Sequence, residues 1–244
     1  MARQRSIPTL LLAFGAAAVM MLGGCASTTR IEARDRNVVL PSLRASINFG
    51  KGSEVPSAPR DGHAVEIEGF RAKAGDSQAL QANQLPIVLD GKPFTPPVQL
   101  QHEFRFTYAD VAWRWRKFFG GGAVGLDVSA GMGLAGLDLR TRSATLQAAR
   151  DFSTRGAQGG VGLVWRFQPG TSLQVRAMEF ASGDEGVDRI SRAEVTLAQA
   201  LGPYVTGRIG WAGWNVRGQL ISGDSAFRLR FSGPTLGLQF DFSP

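Results

Sequence analysis

The sequence predicts an all-β fold: a closed, antiparallel, up-and-down β-barrel of eight strands, or ten, with apolar faces turned outward. Three observations carry this reading. Residues 159–180 read GGVGLVWRFQPGTSLQVRAMEF, in which Val161, Leu163, Trp165 and Phe167 alternate with Gly162, Val164, Arg166 and Gln168. Past Pro169-Gly170, Leu173, Val175 and Ala177 alternate with Gln174, Arg176 and Met178. Period-two alternation on both sides of a Pro-Gly turn is a strand–turn–strand signal. The same alternation returns through most of the chain. Its runs are about ten residues long, the length of a tilted strand that crosses an outer membrane.

The chain begins with an address. Arg3 and Arg5 precede residues 10–24, an uncharged and mostly apolar run. It is shorter than the roughly 20 residues of a spanning helix, so residues 1–24 are expected to be a signal peptide. The run ends in Leu22-Gly23-Gly24-Cys25. This resembles a bacterial lipobox, in which a small residue precedes a cysteine that is lipidated and becomes the new N-terminus. The competing reading is ordinary cleavage beside an incidental cysteine. Cys25 is the only cysteine in the 244 residues, so it has no intramolecular disulfide partner. Residues 25–61 are then a lipidated Cys25 and a periplasmic spacer, and 62–244 the barrel. The formal net charge of +7 falls to +5 when Arg3 and Arg5 are removed. The arginines are spread singly, with no Lys/Arg block, zinc-finger spacing or RNP-like motif, which argues against nucleic acid as a partner. Anionic lipid headgroups remain compatible with the charge.

Taken in order, Leu43, Ala45, Ile47 and Phe49 alternate with polar residues and form a candidate extra strand, residues 43–49. Residues 50–61 are rich in turn formers and read as a loop. His63, Val65 and Ile67 alternate with Glu66 and Glu68 in a strand. Residues 75–97 have weak periodicity and three prolines, and are expected to be a long loop. In residues 98–118, Leu100, Phe104, Phe106 and Tyr108 share one parity, whereas Val111, Trp113 and Trp115 share the other. A one-residue slip exchanges the two faces of a strand, so a β-bulge or a tight turn is expected at Ala109-Asp110. Gly120-Gly121-Gly122 is a turn, and Val124 to Leu134 alternates again. Residues 141–158 and 182–189 read as polar loops. Strands around Val195 and Ile209 flank Gly202-Pro203, and Leu236, Leu238, Phe240 and Phe242 end the chain. Short turns at 168–171 and 202–203 contrast with the longer loops, as periplasmic turns and external loops do. Eight strands result if His63 opens the first, ten if residues 43–49 pair and the chain turns at Asp110. Both counts place the two chain ends in the periplasm.

The polar parity decides which face points out. It carries Arg105, Arg114, Arg116, Arg166, Arg176, Arg192 and Arg208, and also Glu66, Glu68, Glu103, Asp127, Glu194 and Asp241. These charges can neutralise one another inside a narrow barrel, where burial is tolerable only with pairing and hydrogen bonds, to which arginine forks are suited. The alternative is that they form a solvated outer surface. Aromatic residues near strand ends, such as Trp113, Trp165 and Trp211, suit interfacial girdles. Glycines on the polar parity leave room for arginine side chains. No Trp precedes Trp113, so the N-terminal Gly-x-Trp of lipocalins is absent.

Residues 159–180 and 233–242 (GPTLGLQFDF) resemble strands of small outer-membrane barrels of the OmpA-type transmembrane domain. The resemblance covers about residues 98–244 and implies a Gram-negative outer-membrane location. It also implies a final-strand aromatic, here Phe242, read by the barrel-assembly machinery. Ser243-Pro244 after it depart from the pattern.

Chemistry finds little support. His63 and His102 are the only histidines. Both sit on the apolar parity, with no Ser two residues on and no converging Ser or Asp to complete a base and nucleophile. There is no metal-ligand cluster, P-loop or Gly-x-Ser-x-Gly motif. The expectation is a non-enzymatic outer-membrane barrel lipoprotein without cofactor, acting structurally or through its external loops. The alternatives are a lipid-anchored lipocalin-like binding barrel in the periplasm and a lipid A-modifying enzyme.

Overall fold

The computed structural model describes residues 30–49, 61–183, 186–219 and 225–242. Cys25, the leader and residues 50–60 lie outside them. The chain is all-β. In order, β1 is Ile31–Asp35, β2 Leu40–Phe49, β3 Gly62–Leu80, β4 Ile87–Leu89, β5 Lys92–Phe94 and β6 Val98–Phe119. Then come β7 Val124–Arg142, β8 Gln147–Gln168, β9 Thr171–Ala181, β10 Gly186–Ala200, β11 Val205–Gln219 and β12 Ala226–Phe242.

The main sheet runs β1-β12-β11-β10-β9-β8-β7-β6-β3-β2, and β12 also pairs with β2. Its pairings therefore return on themselves in a ring of nine strands rather than eight or ten. Strands that alternate up and down close with only antiparallel pairs when their number is even. Nine strands require one parallel seam, and here β2 runs beside β12, Leu40 to Ile47 against Thr235 to Phe242. β1 continues that seam, with Ile31 to Asp35 beside Phe227 to Phe231. The candidate extra strand at residues 43–49 is present, within the strand that closes the ring. A second correction follows from the seam. Ile31 lies at one end of the ring and Phe242 at the other, so the two ends of the described chain are not on one side.

At the turn end, β6–β7, β8–β9 and β10–β11 are joined by residues 120–123, 169–170 and 201–204. Pro169-Gly170 makes a two-residue link with Gly170 at φ 81, a conformation that favours glycine at the second central position. At the opposite, loop end, the expected long loops are largely strand. β7 and β8 are separated only by residues 143–146, and β10 begins at Gly186. Residues 75–97 are also not one loop. β3 extends to Leu80, and β4–β5 form a hairpin about Asp90-Gly91, both with positive φ (55 and 67). That is the backbone of a type I′ turn, for which Asp-Gly is a favoured sequence. Ile87, Leu89 and Phe94 of this hairpin are buried in the core.

No bulge or turn interrupts β6. Its residues pair without a slip on both sides, Asp110 facing Glu68 on β3 and Gly133 on β7. Even-numbered residues point inward along its whole length. What changes near Asp110 is the polarity of the two faces, not their direction.

Candidate functional site: a strand set with two opposite polarities

Every long strand of the ring repeats this change. Toward the loop end, inward positions are apolar. Phe70, Phe104, Phe106, Tyr108, Phe180, Trp214 and Phe231 join Leu100, Leu137, Leu139, Val216 and Leu229 in one buried core. Phe70 stacks on Trp214 at 4.4 Å, and Phe106 meets the same indole edge-on at 5.8 Å. Outward positions at this end are polar: Lys73, Arg105, Asp138, Asp151, Ser153, Arg217 and Arg228. This is the polarity of a water-soluble barrel.

Toward the turn end both faces invert. Outward positions become Leu43, Ile67, Trp113, Leu134, Val161, Leu163, Ile209, Trp211, Leu236 and Leu238, all large apolar residues on the exposed surface. Leu236 is 65% exposed and Leu134 60%, values that a water-facing surface rarely repeats over a continuous area. From Val124 to Leu134 on β7 the belt spans ten residue steps. At about 3.4 Å per step and a tilt of about 40°, its height is about 25 Å.

Inside the belt lies a network of paired charges. Arg44 reaches Glu68 at 2.8 Å and Glu194 at 3.3 Å; Arg192 reaches Glu68 at 2.7 Å and also bonds Glu194; Arg208 meets Glu194 at 3.3 Å. Nearer the turn end, Glu66 pairs with Arg114 and, at 3.0 Å, with Arg176, while Asp127 accepts Arg116 at 2.5 Å. Neutral groups complete the shell. Arg208 donates to Gln239 at 2.8 Å, Arg114 to Asn48 at 2.9 Å, and Gln239 donates to Asp241 at 2.8 Å. A gap of about 30 Å³ remains among Arg44, Glu66, Asp110 and Arg176, large enough to hold water. Arg192 lies over the Trp214 ring at 4.8 Å, so this guanidinium joins the charged layer to the aromatic one.

Glycines serve this layer in two ways. A Cβ on Gly162 would come within 2.8 Å of Arg176 Cγ, so its absence makes room for that side chain. A Cβ on Gly210 would sit 2.0 Å from the Val195 carbonyl oxygen, so there glycine permits close approach of backbones.

Of the charged residues expected in the lumen, Glu66, Glu68, Arg114, Arg116, Asp127, Arg176, Arg192, Glu194, Arg208 and Asp241 meet inside the ring. Arg166 lies at the turn end, over the Phe118 ring at 3.9 Å and donating to the Gly122 carbonyl at 2.5 Å. Glu103 and Arg105 do not belong to the set. Both are on the outer face, and Glu103 pairs there with Arg142. The assignment fails because it followed hydrophobic phase across Ala109-Asp110, where parity alone carries the direction. For the same reason Asp110, an inward carboxylate, was not recognised. Arg44 was missed because its segment was only a candidate extra strand outside the expected barrel, although it occupies the polar parity between Leu43 and Ala45.

The histidines separate. His63 is outside, stacked on Trp113 at 5.2 Å. His102, expected to face lipid, points into the aromatic half. Its Nδ1 is 2.8 Å from Thr141 Oγ1 and its Nε2 3.2 Å from Gln78 Oε1. A neutral ring that donates from Nε2 and accepts at Nδ1 satisfies both contacts. Burial holds the imidazole down to about 4, against a smaller opposing pull from Asp76. His102 is 1% exposed and Thr141 0%, so the pair is sealed from solvent. Among the described residues no group of three or more His, Cys, Asp or Glu is placed to hold a metal ion. No family model, curated protein or solved structure matches the chain.

Proposed function

We propose that the chain is an outer-membrane β-barrel lipoprotein. Its turn-end half spans the bilayer, and its loop-end half stands beyond the membrane as a filled, soluble-type dome with a structural or surface-interaction role. The observation that carries this is the double inversion of polarity along continuous strands. An apolar belt of about 25 Å around a neutralised charged interior suits hydrocarbon, whereas the reverse arrangement above it suits water. Strands of up to 22 residues are about twice the length that a bilayer needs, which accounts for both halves. The filled charged layer argues for a plug rather than a pore. Resemblance to OmpA-type strands supports the same reading, and Cys25 supplies the lipid.

The lipocalin-like alternative draws on one observation, the soluble polarity of the loop-end half. That half is packed with aromatic side chains and capped by β4–β5, which leaves little room for a ligand. For a lipid A-modifying enzyme the histidines are ill placed: His63 is stacked on Trp113 at the outer face, and His102 is sealed within the aromatic half.

Two substitutions on the outer face of β8 test the reading. Val161→Arg lies in the belt and should lower stability in lipid by about 2–4 kcal/mol, the cost of a cation near the midplane, and reduce assembly. Ser153→Arg lies on the same face beyond the belt and should be neutral. Heat-modifiable gel migration of protein from purified outer membranes reads both. Equal behaviour of the two variants, or recovery of the wild type without detergent in the soluble fraction, would overturn the proposal. Labelled palmitate incorporation, lost in Cys25→Ser, tests the anchor separately.

A further inference from the structure

The outer wall has a concavity that a plain ring of strands does not require. β1 leaves β12 after Asp35, and β2 joins it at Leu40. Over Ser232, Gly233 and Pro234 the seam is bridged by one backbone bond, from the Val38 N–H to the Ser232 oxygen at 3.2 Å. A groove of about 530 Å³ opens beside this break, within the size range of small-molecule sites. Its outer lining includes Arg34, Arg36, Ser191, Asn215, Arg230 and Ser232, with Ala193 and Gly213 contributing little side-chain bulk. The groove sits at the edge of the apolar belt. Ala193 pairs with Gly213, and the next outward pair toward the turn end is Val195 with Trp211.

Basic side chains outnumber acidic ones here, although Glu32 faces Arg228 across the β1–β12 pair. Arg34 faces Arg230 across the β1–β12 pair, and Arg217 faces Arg228 across β11–β12. Like charges directly opposite one another destabilise a sheet. Some outer-wall arginines do have carboxylates: Arg142 pairs with Glu103, and Arg189 meets Glu179 at 2.6 Å. Among the described residues Arg34, Arg36 and Arg230 have no such partner within 4 Å. Asp35 also lines the groove, its Oδ1 accepting the Asn37 N–H at 3.1 Å, so one carboxylate stands against the three arginines. Three guanidinium groups around a small-residue floor therefore present unused donors for an anion, and guanidinium forks match phosphate oxygens.

We propose that this groove binds the phosphate of an anionic lipid headgroup, with the acyl chains lying along Val195, Ile209, Trp211 and Leu236. The inference rests on the membrane reading of the belt. It favours a lipid over a soluble phosphate because the donors end where the apolar surface begins, so that one ligand satisfies both.

The test uses the full chain and the variant R34Q/R36Q/R230Q, each refolded into phosphatidylcholine vesicles, extracted into neutral detergent and titrated with diphosphoryl lipid A under native mass spectrometry. R105Q/R155Q, outward on β6 and β8 across the ring from the groove, is the control. Loss of the groove arginines should weaken lipid A retention at least about tenfold, as expected for lost charge-assisted hydrogen bonds, while the control retains it. Equal retention by wild type and triple variant, or equal loss in the control, overturns the groove. Complete displacement of lipid A by excess inorganic phosphate also overturns it, in favour of a soluble anion. Insertion into the neutral vesicles is read independently by heat-modifiable migration. Failure of the wild type at that step overturns the membrane reading and this proposal together; insertion with unchanged lipid A retention overturns this proposal alone.

Discussion

Glu194 shows how a single side chain holds the charged layer. Its two oxygens meet Arg44, Arg192 and Arg208, which come from β2, β10 and β11. Removing its charge leaves three buried cations with one shared carboxylate fewer. Glu194→Gln is expected to destabilise the folded protein by about 3–5 kcal/mol, measured as a shift of the urea midpoint in detergent. Glu103→Gln removes an exposed partner and should change stability by less than about 1 kcal/mol. His102 sets a pH dependence of opposite origin. Its folded-state value of about 4 lies below its ordinary 6.5, so the unfolded chain binds more protons between these limits. The stability it contributes is complete above pH 6.5 and is lost as the pH falls toward 4. The loss should amount to roughly 3 kcal/mol, and His102→Gln should remove it from the stability–pH curve. Most of the inward charges were legible in the sequence because parity alone exposes them. The inward Asp110 was not, and Glu103 and Arg105 were wrongly turned inward, since hydrophobic phase and parity disagree at that point of β6.

At the scale of the element, β6 and β8 explain why strand lengths were underestimated. A strand whose two faces exchange polarity along its length reverses its hydrophobic phase without any change in backbone direction, and a sequence reading takes that reversal for a break. Residues 147–158 looked like loop because their outward Asp151, Ser153 and Arg155 are polar while inward Ala148, Thr154 and Gly156 are small. The β4–β5 hairpin had a sequence signal in Asp90-Gly91 between Leu89 and Lys92, obscured by the neighbouring prolines. Its tight turn depends on the positive φ of Gly91. Gly91→Val should cost about 1–2 kcal/mol locally and loosen the cap. Hydrogen exchange should then rise at Val88 and Leu89 and in the adjacent core, with β9–β10 at the turn end unchanged.

At the scale of the whole molecule, all-β class and ring closure were readable from repeated alternation, whereas the strand count was not. Pairing of β2 with β12 joins segments nearly two hundred residues apart, and no local pattern announces it. The seam can be trapped chemically. Ala45 and Phe240 are cross-strand partners, and adjacent strands lie about 4.8 Å apart, within disulfide range. In a Cys25→Ser background, A45C/F240C should oxidise to a faster-migrating species on gels, whereas I67C/F240C should not, because β2 stands between those strands. The opposite outcome would restore an eight-strand ring closed by β3.

A nine-membered ring also constrains how the protein reaches its place. When first and last strands point the same way, a polypeptide offered to a lipid sheet from one side cannot keep both tails there. Under the proposed seating of the belt in a bilayer, one end of the described strands must be drawn through the hydrocarbon before the ring shuts, so the closing strand is threaded into position rather than laid alongside its neighbour.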